Sequence, residues 1–319
     1  MSGERIRGAF VGLAVGDAVG WPASRHRAAL HAPWSRRLHR ELDAFAEEHR
    51  VTTLPVPFAL NQPVAPLAVG PSDDAEWLAW TLLTIDRPRA EAFRELTDVR
   101  ARISVATALD NLAKGVEPPA SGHDNPHHFD DAAAVRAVAF GALGRDPSAD
   151  AQVTNAGDGL LGAQAMAAAV AEAVTTGSVT AAVRAALDVL PAGTAIGHNA
   201  RQALKAARAA GDPFGAVPAL DAALLDHVYS YGVGAAQTVP VALALAEVSG
   251  GDLSRAVPAA ACLAPLADSA PALTGALTGA CGGYGAIPEG WIAPARRLAG
   301  CCLPDLAGKD LIELLEGTA

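Results

Sequence analysis

The chain has 319 residues, a formal net charge of −10 and a pI near 5.3; so acidic a chain has no general reason to bind nucleic-acid backbones, which require a basic face. Apolar residues make up 51%, led by Ala, and aromatics only 5%. Ala has the highest helix propensity, and Val and Ile seldom fall in alternating runs, so the chain reads as all-α rather than as a sheet protein.

In chain order, residues 6–19 carry apolar side chains at helical spacing and open the fold. Gly12, Gly16, Asp17 and Gly20 interrupt this stretch, which is too short to cross a membrane and does not read as a signal peptide. A basic run over 25–40, including Trp34, reads as a solvated face. A helix is expected over 39–48. Pro55, Pro57, Pro63, Pro66 and Pro71 then forbid continuous helix and give an ordered excursion over the surface. Ser72-Asp73-Asp74 opens a helix over 75–85, with a favoured N-cap residue and carboxylates that complement the helix dipole.

Helix is expected over 90–114, followed by a polar loop over 122–131. Its His123, His127 and His128 have the look of a metal cluster, but the loop setting beside Pro126 favours solvated side chains. Asp131 opens a helix over 132–143, and a loop over 144–154 leads to an Ala-rich helix over 160–175. Further helices are expected over 179–189, 197–210, 216–225, 234–248, 253–263, 271–281, 291–298 and 309–315, with Ser, Thr, Asp or Asn at starts and Gly at ends. There is no fixed-period repeat and no linker-like composition, so 1–319 reads as a single domain. Cys262, Cys281, Cys301 and Cys302 show no C-x-x-C spacing and read as small core residues in a reducing, cytoplasmic compartment.

Two helix starts combine carboxylate with hydroxyl: Ser72-Asp73-Asp74 and Asp268-Ser269. Capping explains the first in isolation. The second leads, through Pro271 in the first turn, into the apolar run 272–280, so Asp268 is expected to be buried and in need of a partner. Hard oxygen donors of this kind suit Mg²⁺, Ca²⁺ or Mn²⁺.

These segments fall into a familiar order. Gly8-Ala-Phe-Val-Gly-Leu-Ala-Val-Gly-Asp17-Ala-Val-Gly20 resembles the opening of the ADP-ribosylglycohydrolase family, the group that includes the dinitrogenase reductase-activating glycohydrolase. Ser72-Asp73-Asp74 resembles its Thr/Ser-Asp-Asp metal motif, and Asp131-Ala-Ala-Ala-Val-Arg136 its Asn-Gly-Ala-Ala-Met-Arg segment. Gly232-Val-Gly-Ala-Ala-Gln-Thr-Val-Pro240 is similar to its substrate loop. Asp268-Ser269 with Gly275-Ala-Leu-Thr-Gly-Ala280 and Ile287-Pro-Glu-Gly-Trp291 resembles its closing metal motif, helix and tail. The resemblance implies an orthogonal multi-helix bundle, one or two Mg²⁺ or Mn²⁺ ions, and hydrolysis of a glycosidic bond at the ribose of ADP-ribose.

Carried over position by position, it implies Ser72, Asp73, Asp74, Asp268 and Ser269 as metal ligands, with Asp73 and Asp74 also catalytic. Substrate binding falls to Asp17, Asp131, Ala132, Ala133, Asn155, Gly232 and Val233, with Asp131, Ala132 and Ala133 offering N–H groups to the diphosphate and Tyr229 or Tyr231 available to stack on adenine. ADP-ribose or an ADP-ribosylated substrate is the expected partner, with no direct nucleic acid, no membrane, and a monomeric chain. The sequence departs from the family pattern in four places. Leu266 stands where the first Asp of an Asp-x-Asp-Thr/Ser motif falls, Ser24 where an acidic residue follows the first helix, Asn155 in a Thr-His pair, and Asp131-Ala132 in an Asn-Gly pair. Three readings follow: a divalent-metal-dependent hydrolase, a non-catalytic ADP-ribose- or nucleotide-binding protein with a degraded metal site, or a glycosidase for another nucleoside-like metabolite.

Overall fold

A computed structural model describes residues 2–20, 44, 47–48, 50, 70–225 and 232–318. Ser24, the basic run, residues 52–69 of the proline-rich excursion, Tyr229 and Tyr231 lie outside the described residues, as does most of the helix expected over 39–48. The described helices are α1 (Ser2–Gly20), α2 (Asp73–Thr84), α3 (Arg89–Arg94), α4 (Ile103–Ala113), α5 (Ala120–His123), α6 (Ala132–Ala142), α7 (Ser148–Thr154) and α8 (Asp158–Thr176). They continue as α9 (Val179–Val189), α10 (Ala195–Ala210), α11 (Pro213–Leu224), α12 (Ala235–Val248), α13 (Leu253–Ala261), α14 (Ala270–Gly282), α15 (Glu289–Arg296) and α16 (Leu311–Gly317). Among the described residues, β pairing is confined to two isolated bridges, Asp130 with Gly234 and Arg297 with Asp310. The all-α expectation is met. No described helix is long and apolar enough to cross a membrane.

The centre of the bundle is the crossing of α1 and α14. From Ala9 to Val15 every side chain of α1 is buried, so this helix is apolar all round rather than along one stripe. It can pack so deeply because its glycines meet the glycines of α14 backbone to backbone. A Cβ added at Gly12 would lie 2.1 Å from the carbonyl oxygen of Gly275, and one at Gly279 would lie 2.1 Å from that of Gly8. The contact runs to the end that matters for function: α1 carries Asp17 in its last turn, and α14 begins immediately after Asp268 and Ser269.

Two local expectations are corrected. The helix expected over 90–114 is broken into α3 and α4. Between them Asp98 takes a left-handed φ of 57°, which Asp tolerates better than most residues. The break has a tertiary cause. The buried Glu76 carboxylate accepts N–H bonds from Cys301, Cys302 and Leu303, each at 2.8 Å, and so pins this C-terminal stretch to α2. The pinned Cys302 carbonyl accepts the Arg100 N–H at 3.0 Å, taking it out of any helical ladder. Tertiary hydrogen bonding here overrides intrinsic propensity. Likewise the loop expected over 144–154 contains α7, which turns Asp150 and Thr154 inward onto Arg136.

Candidate functional site

Four helix N-termini and one C-terminus meet at a single acidic cluster. α2 brings Ser72, Asp73 and Asp74, α6 brings Asp130 and Asp131, α14 brings Asp268 and Ser269, α4 brings Arg102, and the end of α1 brings Asp17. Carboxylates at helix N-termini are favoured by the macrodipole. A cation at the start of α4 is not, so its placement must be repaid by neighbours.

Those neighbours are the carboxylates. Arg102 Nη1 donates to Asp131 Oδ1 at 2.6 Å, Nη2 to Asp74 Oδ1 at 2.8 Å and to Ser269 Oγ at 2.9 Å, and Nε to Asp73 Oδ2 at 3.2 Å. Nη2 also lies 3.1 Å from Asp268 Oδ2. Burial works against the guanidinium charge, but Asp268, Asp73, Asp74 and Asp131 outweigh it and hold Arg102 charged more firmly than a free arginine.

Asp17 has a different place. Its Oδ2 accepts the N–H groups of Ser72 at 2.7 Å and Ala75 at 3.1 Å, and its Oδ1 accepts the Ser72 hydroxyl. The expected cap residue, Ser72, therefore does not cap α2 with its own side chain. Asp17 supplies that acceptor from α1.

Asp131 and the Gly232-Val233 segment, expected to line one ligand site, are brought together. The Asp131 N–H donates to the Val233 carbonyl at 2.8 Å, and the Ala235 N–H to the Phe129 carbonyl at 3.0 Å. Gly232 has φ +73°, and a Cβ there would lie 2.4 Å from the Pro265 carbonyl oxygen, so glycine is needed where this segment passes the turn leading to Asp268. The Ala132 N–H is held by Asp130 Oδ1 at 3.2 Å, so two of the three amides expected to face a diphosphate are engaged within the protein. Ala133 is buried in α6.

Asn155 is buried and organises this wall. Its Nδ2 lies 2.8 Å from Asp130 Oδ1, 3.0 Å from the Asp130 carbonyl and 3.2 Å from the His128 carbonyl. The Thr154 hydroxyl donates to Asn155 Oδ1 at 2.5 Å and accepts from Arg136 Nη2 at 2.7 Å.

A divalent ion does not fit the arrangement in hand. Mg²⁺ needs close to six oxygen donors at about 2.0–2.1 Å. Here Asp73, Asp74, Asp131, Asp268 and Ser269 already face one guanidinium. Leu266, at the position of the missing carboxylate, is a fully buried core residue with no lone pair to offer. Among the described residues no group of three His, Cys, Asp or Glu side chains is placed to hold a metal.

Acidic charge nevertheless exceeds basic charge, and buried carboxyls respond by keeping protons. Burial, reinforced by Asp73, pushes Asp17 up to about 7. Burial likewise pushes Asp131 up to about 7 against the pull of Arg102, and it raises Asp74 and Asp268 as well. These groups bind protons more tightly when folded than when unfolded, so stability falls as pH rises from the ordinary carboxylate range through about 7. The melting temperature is expected to rise when pH is lowered from about 8 to about 6, a window in which ordinary carboxylates stay ionised. Calorimetry across that range checks it, and a flat or falling profile would refute it.

Sequence reasoning missed Arg102, Asp130 and the capping role of Asp17. Arg102 lies inside the stretch read as continuous helix. The signal available was chemical: carboxylates at several helix starts need a counter-charge when they meet. A separate cavity of about 560 Å³, lined in part by Ile6, Leu83, Ile85 and Leu143, lies at the opposite ends of α1 and α2 and shares no residue with the cluster.

The fold and site define an all-α bundle with an acidic centre assembled from helix starts. The sequence model of the ADP-ribosylglycohydrolase family matches residues 2–319, and the chain belongs to that family. A solved structure described as an ADP-ribosylglycohydrolase-related protein complex is similar over 100% of this chain and 99% of that one, at 18% identity and a TM-score of 0.59, a likeness of fold. No curated protein matches the chain. The family acts on ADP-ribosyl substrates and is in general divalent-metal dependent.

Proposed function

We propose that this chain is an ADP-ribose-binding member of its family whose acidic centre does not work as a metal-dependent hydrolase. The observation that supports this most is the Arg102 guanidinium at the point where Asp73, Asp74, Asp131, Asp268 and Ser269 converge, the point that the resemblance assigns to the ions. The ligand wall consists of Asp131, Ala132 and Ala133 at the start of α6, with Asn155 behind it and Gly232-Val233 beside it. Asp17 holds the start of α2 through Ser72 and Ala75. The chain acts as a cytoplasmic monomer; its net charge of −10 and its four free cysteines accord with that setting.

The test is calorimetric titration and thermal shift with ADP-ribose, run beside product analysis on Arg-linked, Ser-linked and O-acetyl ADP-ribosyl substrates. Binding should raise stability by about 2.7 kcal/mol at a hundredfold excess over Kd, with no product released. No shift with ADP-ribose would remove the reading.

A second reading has its own observation. Oδ2 of Asp74 and Oδ2 of Asp130 are buried with no hydrogen-bond partner among the described residues. Unmatched lone pairs of this kind favour a further cation, and with it a hydrolase holding one or two Mg²⁺ or Mn²⁺ ions on Ser72, Asp73, Asp74, Asp268 and Ser269, with Asp73 and Asp74 catalytic. ADP-ribose release that needs Mg²⁺ or Mn²⁺ would decide for it.

A further inference from the structure

We propose that Arg102 is a built-in substitute for the divalent ion of this centre: its guanidinium fills the cation position, keeps divalent ions out, and leaves a cation site behind when it is removed. The inference rests on the pocket being the family's acidic centre but not on ADP-ribose binding.

Three observations bear on it. The first is completeness. Each nitrogen of the guanidinium meets an acidic or hydroxyl oxygen, and the partners come from three separate helix starts, at 2.6 to 3.2 Å. A surface arginine resting against one carboxylate has no such set, as the half-exposed Arg145–Asp86 pair shows. Arginine's planar fork suits this task, since it engages several oxygens at once and is weakly hydrated.

The second is the side chain at the position of the lost carboxylate. Leu266 is fully buried, in the short turn Ala264–Leu266 just before Asp268. A divalent centre there would lack a ligand, whereas a monovalent guanidinium needs fewer negative partners. The loss of the acid and the presence of the arginine are therefore consistent with each other.

The third is an unused lone pair in the shell of the guanidinium itself. Asp74 Oδ2 is buried and unpartnered among the described residues, on the same carboxylate whose Oδ1 accepts from Arg102 at 2.8 Å. With the Arg102 side chain gone, Asp73, Asp74, Asp131 and Asp268 would be left around a void with Ser269 Oγ. Those oxygens are hard donors of the type that takes Mn²⁺ or Mg²⁺.

The experiment is Mn²⁺ titration of the full, metal-stripped chain, read by the spin-resonance signal of free Mn²⁺, without ADP-ribose. The wild type should take up no stoichiometric Mn²⁺ at micromolar concentrations. Arg102→Ala should bind it at least about tenfold more tightly, with a melting temperature that climbs on adding Mn²⁺. Arg102→Lys, which keeps a cation in place, should behave as the wild type. Should Arg102→Ala not fold, Arg102→Gln removes the charge while keeping most of the side chain; should neither fold alone, refolding with and without Mn²⁺ becomes the readout, recovery in Mn²⁺ being expected. Stoichiometric Mn²⁺ uptake by the wild type would overturn the proposal. So would variants that bind Mn²⁺ no better than wild type or fail to refold in its presence. ADP-ribose enters none of these measurements, so its failure to bind would sink the functional reading and leave this one standing.

Discussion

Replacing Asp150 by Ala is expected to destabilise the chain by about 3–5 kcal/mol, the range found when a buried ion pair loses one partner. Asp150 is buried between two arginines. Arg89 approaches its Oδ1 with Nε at 2.9 Å and Nη2 at 2.8 Å, and Arg136 its Oδ2 with Nε at 2.7 Å. Arg136 is fully buried, with its guanidinium 5.1 Å from the Phe93 ring centroid, and Arg89 lies 4.9 Å from that of Trp80. Aromatic faces offer such cations part of what water would, but among the described residues it is Asp150 that supplies the opposite charge to both. Its removal strands two guanidinium groups in a low-dielectric interior. Since whole domains are stable by only about 5–15 kcal/mol, the loss is a large fraction of the total. The comparison is Glu247→Ala, which removes the partner of the largely exposed Arg208 and should cost less than about 1 kcal/mol. Urea midpoints of the two variants settle the matter: similar shifts for both would sink the claim. There is also a functional arm. Arg136 holds Thr154, Thr154 holds Asn155, and Asn155 holds Asp130 at the start of α6. Asp150→Ala should therefore weaken ADP-ribose binding even under conditions where the variant stays folded.

Local chemistry made part of this site legible and hid the rest. Asp73, Asp74, Asp131, Asp268 and Ser269 could be read from the sequence because a carboxylate or hydroxyl at a helix start leaves a short, contiguous signature, and the structure brings all five to one point. The apolar run after Asp268 correctly announced a buried helix, because α14 is apolar on every side and can only be interior. Arg102 left no such signature. Its position depends on the end of α3, which is fixed by the docking of residues 301–303 onto Glu76, a contact between residues more than two hundred positions apart. Asp17 illustrates the same limit from the other side. Its motif was visible, but its task of capping α2 across 55 positions of sequence is a property of how α1 and α2 pack. The resemblance located residues, whereas the charge balance among them emerged only when the helix ends were placed together.

Gly12→Ala is expected to cost about 3 kcal/mol or more, although Ala in an ordinary helix interior is worth about 0.5–1 kcal/mol over Gly. The sign reverses because of the crossing of α1 and α14. A Cβ at Gly12 would lie 2.1 Å from the Gly275 carbonyl oxygen and 3.2 Å from the Gly279 Cα. Both neighbours are backbone atoms in buried helices, so no rotamer change relieves the overlap, and the helices must separate or tilt. Overpacking of side chains typically costs 1–3 kcal/mol, and a clash against backbone belongs at or beyond the top of that range. Gly275→Ala strikes the same crossing from the other side, with its Cβ 2.0 Å from the Gly12 carbonyl oxygen, and should cost a similar amount. The double variant should cost less than the sum, because helices already forced apart by the first methyl have room for the second. Gly3→Ala, with nothing within 4 Å of its added Cβ, should be neutral or slightly stabilising. A urea midpoint for Gly12→Ala at or above that of the wild type would remove the basis of this account. The effect should also reach the site. A Cβ at Gly16 would lie 2.0 Å from the Pro271 carbonyl oxygen, so the same contact sets the distance between Asp17, which holds the start of α2, and Ser269, which opens α14. Helices displaced at this crossing move Asp73 and Asp74 away from Asp268 and Ser269, and the four can no longer meet on one guanidinium. Gly12→Ala should therefore lower ADP-ribose affinity beyond what its unfolded fraction explains.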